Sequence, residues 1–222
     1  MSKFENILFD FDGTLFDTSQ GVMKSFEKVA IHYKLKVSEA DYRRMMGPPL
    51  EESFLNILHL PKTEIQNAIM VYRRYYTEKG IFELEMYPGV HELLEKLKHD
   101  GKKLFVATSK PEIFARKILA KLQMMPLFDF VGGADEAENS RVKKADVIRY
   151  VIKMNDLQSE HCLMVGDRSY DILGAKEAGV FSCAVLWGFG EKAEFVASGA
   201  NYIVSTPPEL KALISHDGSK QP

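Results

Sequence analysis

Short apolar runs recur along the chain, each closed by turn-forming or small polar residues: Ile7 to Phe9, Leu104 to Ala107, Phe128 to Val131, Leu163 to Val165, Cys183 to Leu186 and Tyr202 to Val204. Helical periodicity fills the spaces between the later runs. Leu93, Leu94 and Leu97 share one face of His91 to His99, which ends at Gly101. Pro111 to Leu122 carries Ile113, Phe114, Ile118 and Leu119, and Ala145 to Met154 carries Val147, Ile148, Val151 and Ile152. Ile172 to Ala178 stops at Gly179, a residue suited to ending a helix. Strands this short and this uniformly apolar are buried on both faces, and their alternation with helices requires parallel crossovers. The expected fold class is therefore α/β: a Rossmann-like parallel sheet in three α/β/α layers. One stretch breaks the alternation. Between Asp17 and about Glu85 the pattern is helical throughout, over Gly21 to His32, Glu39 to Met46, Leu50 to Leu58 and Glu64 to Lys79, with Gly47-Pro48-Pro49 as punctuation. The chain returns at Tyr87-Pro88-Gly89. The expected division is a core of residues 1–16 and 85–222 and a helical insertion over 17–84.

Composition narrows the class. A chain of 222 residues with 45% hydrophobic residues suits one domain with an insertion and can fill a sizeable core. A formal charge of −2 supplies no basic field for nucleic acid or an anionic membrane. Cys162 and Cys183 stand far apart among apolar neighbours and read as reduced core thiols. The 6 histidines have no metal-ligand spacing, so no zinc site is expected. The first residues lead straight into Phe4 to Phe9 without a leader pattern, and no apolar run has membrane length. A cytoplasmic protein without a membrane span is expected, with a polar, frayed tail after His216.

The end of the first run carries the chemistry. In Phe9-Asp10-Phe11-Asp12-Gly13-Thr14, two acids stand at i and i+2, which a strand projects to one side. Like charges so close in a low dielectric need a compensating cation, and a divalent metal is the simplest. Reactive groups in a parallel sheet belong at the carboxyl ends of its strands. Those ends supply Asp10 and Asp12, then Thr108-Ser109-Lys110, then Asp167 with Asp171 four residues on; Lys143 and Lys144 open the Ala145 helix. These are the parts needed to handle a phosphoryl group on a metal. A carboxylate can attack phosphorus and form an acyl phosphate. A second carboxyl group can protonate the leaving alcohol and then deprotonate water. Hydroxyls such as Thr108 and Ser109, a lysine and backbone N–H groups can hold the phosphoryl oxygens. Magnesium favours oxygen ligands and neutralises charge between an anionic nucleophile and an anionic substrate.

Asp10-Phe11-Asp12-Gly13-Thr14, Thr108, a lysine at 143/144 and Gly166-Asp167-Arg168-Ser169-Tyr170-Asp171 together resemble the four motifs of the haloacid dehalogenase superfamily, in order and spacing. The insertion is similar to that superfamily's helical cap. Thr108-Ser109-Lys110-Pro111 and Gly47-Pro48-Pro49-Leu50 resemble its phosphoglycolate phosphatase-like branch. The resemblance implies Asp10 as nucleophile and metal ligand, and Asp12 as general acid/base and metal ligand through its backbone carbonyl. It implies Asp167 as the third protein ligand to Mg2+, and Asp171 as a residue that holds metal-bound water or orients the lysine. Thr108 and the lysine would bind the phosphoryl group. Lys143 and Lys144 face about 100° apart on a helix. Members of the superfamily place the motif lysine before a small residue or proline, which favours Lys144, before Ala145.

The implied activity is magnesium-dependent hydrolysis of a small phosphomonoester, such as phosphoglycolate, a nucleoside monophosphate or a sugar phosphate, by a monomer or homodimer. A β-phosphoglucomutase-type mutase shares all four motifs. An inactive homologue or a phosphoacceptor signalling module is the alternative of another class, though receivers are shorter and lack the insertion. Other residues have plainer readings. Asp171 and Asp17 suit helix capping, Arg168 a structural role, Trp187 packing, and Lys110 a solvated loop or a substrate contact. Tyr72, Tyr75, Tyr76, Arg73 and Arg74 read as helix faces, with a substrate-selecting group among them as the sharper reading.

Overall fold

The structure is a computed structural model that describes residues 3–45, 50–135 and 140–215. Gly47-Pro48-Pro49 and the tail beyond Ser215 lie outside the described residues. The chain divides into two compact units, Met1–Asp17 with Met86–Pro222, and Thr18–Glu85.

The first unit is built on a parallel sheet. Its strands are β1 (Asn6–Phe9), β4 (Lys103–Pro111), β5 (Phe130–Ala134), β6 (Cys162–Gly166), β7 (Phe181–Val185) and β8 (Tyr202–Val204), in the order β5-β4-β1-β6-β7-β8. The chain runs outward from β1 on one side and then on the other, so β1 sits at the point where the strand order reverses. Open α/β sheets form their binding crevice at that point, outside the carboxyl ends. Register puts Asn6 to Phe9 beside Lys103 to Val106 on one side and beside Cys162 to Val165 on the other. Every residue of β1 and β6 is buried, which explains why they read as continuous apolar runs.

Helices cover both faces. Leu8, Phe105, Ala107 and Met164 pack with Val147, Ile148 and Val151 of α7 (Lys144–Met154) and Ala175 of α8 (Ser169–Ala178). The alternate residues Ile7, Phe9, Leu104, Val106, Leu163 and Val165 point the other way and are equally buried. The unit also holds α5 (Val90–His99), α6 (Glu112–Lys121), α9 (Lys192–Ser198) and α10 (Pro207–Ser215). The last two were not visible as periodic patterns; α9 is only 7 residues long and buries one side chain, Phe195. Gly179 ends α8 at φ +74, as its position implied. Cys162 and Cys183 are buried free thiols, and burial pushes the Cys162 thiol up to about 11.

The second unit is helical: α1 (Ser19–His32), α2 (Glu39–Met45), α3 (Leu50–Asn56) and α4 (Ile65–Glu78). The two-residue strands β2 (Phe16–Asp17) and β3 (Glu85–Met86) lie where the chain passes between the units. The core of this unit gathers Phe26, Val29, Met45, Phe54, Ile65, Ala68 and Tyr72. The Tyr72 ring lies 4.9 Å from Phe26 and is stacked 5.7 Å from Tyr76, so Tyr72 is a core residue. Arg73 and Arg74 face water, and the Tyr75 hydroxyl donates to Glu83 at 3.0 Å. The N-cap position of α1 falls on Thr18, one residue after Asp17. Among the described residues no helix is long and apolar enough to cross a membrane.

Candidate active site

The ladder of β1 extends one residue past Phe9, because the Asp10 N–H donates to the Val165 carbonyl at 2.8 Å. That bond fixes the Asp10 backbone at the sheet's carboxyl edge. The chain then folds back tightly: the Leu15 and Phe16 N–H groups both donate to the Phe11 carbonyl at 3.0 Å, and Gly13 N–H donates to the Phe16 carbonyl at 2.8 Å. Gly13 adopts φ +82, and a Cβ there would fall 2.1 Å from Asp167 Oδ2. Only glycine meets both conditions. The turn therefore brings Asp167, just past the end of β6, against the loop that follows β1.

Three acids and a lysine meet at this edge. Lys144 opens α7 and reaches inward, placing Nζ 2.7 Å from Asp10 Oδ1 and 2.8 Å from Asp171 Oδ1. It also donates to the Ala107 carbonyl at 3.2 Å. Asp171 lies in the first turn of α8 and accepts the Arg168 N–H at 3.1 Å, so it serves the helix N-terminus and the lysine together. Gly166 permits this approach: a Cβ there would sit 2.2 Å from Asp171 Cγ. Asp167 accepts the Thr14 hydroxyl at 3.2 Å on one oxygen and the Phe189 N–H at 2.9 Å on the other. Carboxylate oxygens of Asp10, Asp167 and Asp171 lie within 4.8 Å of one another.

The charges in this cluster do not balance. Lys144 is one cation among three buried acids. Burial alone would lower its pKa, but Asp10 and Asp171 together outweigh that and hold it firmly protonated. Burial pushes Asp10 up to about 6 against the pull of Lys144. Asp167 rises further, to about 8, through burial and then repulsion from Asp171 and Asp10. It is the acid that the lysine does not reach. The donor set is all carboxylate oxygen with unmatched negative charge, which fits a hard divalent cation.

Asp12 is served separately. Its side chain turns to Lys110, whose Nζ donates to both carboxylate oxygens, at 2.7 and 2.8 Å. Lys110 is buried, so the solvated-loop reading is corrected. The apolar run stops at Ala107, but β4 continues to Pro111, and its alternation buries Thr108 and Lys110 while exposing Ser109. The Thr108 hydroxyl accepts the Lys110 N–H at 3.1 Å. Of the two candidate lysines, Lys144 joins the acids, whereas Lys143 is exposed on the surface beside it. Ser109, Lys143 and Tyr170 border a cleft of about 340 Å³ against the stem of Lys144. Trp187 is tied into the wall of the site, its indole N–H donating to the Thr14 carbonyl at 3.0 Å. Arg168 pairs with Glu194 at 3.2 Å, a structural contact.

Residues 7–185 match the haloacid dehalogenase-like hydrolase family. The chain belongs to that family. A 5'-nucleotidase of Pseudomonas aeruginosa is 36% identical over 215 residues, covering 96% of both chains. A crystal structure of a predicted phosphatase from Clostridium acetobutylicum is 36% identical, with a TM-score of 0.85 over 95% of this hydrolase and 98% of that chain. Tyrosine-protein kinase PtkA of Mycobacterium tuberculosis is 34% identical over 208 residues, 93% of this chain and 70% of that protein. By class this haloacid dehalogenase-like hydrolase is a phosphoric monoester hydrolase.

Proposed function

We propose that the protein is a magnesium-dependent phosphatase that hydrolyses a small phosphomonoester through an aspartyl-phosphate on Asp10. The observation that carries this reading is the Asp10, Asp167, Asp171 cluster at Lys144, three acids to one ammonium. Asp10, Asp167 and the Asp12 backbone carbonyl would hold the ion, and Asp171 would act behind them by positioning Lys144. When bound, magnesium would neutralise charge between the acids and the incoming phosphoryl group.

An Asp10 carboxylate oxygen forms the bond to phosphorus as the ester P–O bond breaks. The Asp12 carboxyl passes its proton to the departing oxygen, giving the alcohol. The Asp12 carboxylate then takes a proton from water, whose oxygen attacks the acyl phosphate. Inorganic phosphate leaves and the Asp10 carboxylate is restored. Lys144, Thr108 and Ser109 hold the other phosphoryl oxygens, with Lys143 at the margin. The Thr18–Glu85 unit serves as the helical cap that selects the leaving group.

Nucleoside monophosphates are the first substrates to test, because a relative of 36% identity is named a 5'-nucleotidase; phosphoglycolate and sugar phosphates follow. Phosphate release should require magnesium and disappear in Asp10→Asn. Turnover that survives in that variant would refute the role given to Asp10. Isomerisation of a sugar phosphate without net phosphate release would instead mark a mutase.

A further inference from the structure

Each acid of the Asp10/Asp12 pair has its own lysine, from a different element. Asp10 is held by Lys144 at the start of α7, and Asp12 by Lys110 near the end of β4. The two ion pairs differ in burial. Lys144 and Asp10 are both enclosed, whereas the Lys110 side chain is 4% exposed against 33% for Asp12. A buried ammonium is costly to desolvate and must be held by a partner. The Phe11 ring, 5.5 Å from Nζ, adds a weaker attraction. Strand β4 thus fixes the cation, and the carboxylate it anchors keeps an open side.

We propose that Lys110 is a positioning residue for Asp12. Resting on the acid/base reading of Asp12, it sets where that carboxyl group stands relative to the ester oxygen and the attacking water. The two-point contact holds both Asp12 oxygens on the Lys110 ammonium while the Asp12 side chain stays partly open to water. The Asp12 charge is met by Lys110, whereas Asp10 and Asp171 share Lys144. Neighbouring acids of like chemistry acquire different tasks because two lysines orient them differently.

The test uses kcat/KM, which reports steps through phosphoryl transfer to Asp10, for two esters. A p-nitrophenyl ester leaves with little help from an acid; an alkyl ester needs the proton. Their ratio within one preparation does not depend on how much protein is folded. Asp12→Asn should reduce kcat/KM about 100-fold more for the alkyl ester. Lys110→Met should show the same bias, about tenfold or more, and Lys110→Arg should restore most of it. An equal loss with both esters, or a loss confined to KM, would make Lys110 a structural residue or a phosphate contact and overturn the proposal. So would unchanged kinetics. If Asp12→Asn itself shows no bias, the acid/base reading of Asp12 fails and takes the Lys110 proposal with it.

Discussion

Lys144 holds a position on which two acids depend at once. Its ammonium lies 2.7 Å from Asp10 and 2.8 Å from Asp171, with 4% of the side chain exposed. Removing one partner from a buried ion cluster leaves charges that neither water nor protein satisfies. Lys144→Met is expected to lose about 3 kcal/mol of stability in chelator, measured by urea denaturation. Added magnesium should restore part of that loss. A variant as stable as the parent in chelator would show that the acids shed their charge at little cost. Asp10→Asn differs in kind. It removes a nucleophile and relieves charge, so phosphate release should fall roughly a thousandfold or more while stability holds or rises. A parallel loss of stability and activity would point to a structural role for Asp10.

At the scale of elements, the site is an outcome of how strands end. The turn after β1 closes on Gly13, whose φ of +82 and close approach to Asp167 leave no room for a side chain. Gly13→Ala should cost more than about 1 kcal/mol and weaken magnesium binding together. Gly179 is the control. It also has a positive φ, +74, but nothing lies within 4 Å of its missing Cβ. Gly179→Ala should pay about 1 kcal/mol of backbone strain with magnesium affinity unchanged. Titration of metal binding by calorimetry separates the two, and equal affinities would remove Gly13 from the site. The strand ends were legible because apolar runs stop where reactive residues begin. Lys110 was not, since β4 persists beyond its apolar run and turns a loop residue into an inward-facing one. Short α9 was missed because a helix that buries one side chain has no period to read.

For the molecule as a whole, the acid cluster ties folding to proton uptake. Asp10 and Asp167 have pKa values of about 6 and about 8 in the folded chain, both raised chiefly by burial. Between the ordinary carboxylate range and about pH 8 the folded state therefore binds more protons than the unfolded state. Their contribution to stability is largest near the acid side of that window and falls as pH rises. Metal-free protein should become less stable between about pH 5 and about pH 8.5, and saturating magnesium should flatten the change. Denaturation curves in chelator and in magnesium across that range check this, and a metal-free stability that climbs with pH would contradict it. The sequence by itself determined the layered α/β class, the helical insertion and the acids at the strand ends. Those rest on local periodicity and on where short apolar runs stop. Tertiary structure decided which lysine meets which acid, because Lys143, Lys144 and Lys110 differ only in the direction their elements aim them. It also decided that three buried acids gather around a single lysine, an excess of acid over base that a divalent ion would balance. That excess arises from residues 10, 144, 167 and 171 packed together, and no run of neighbours along the chain encodes it.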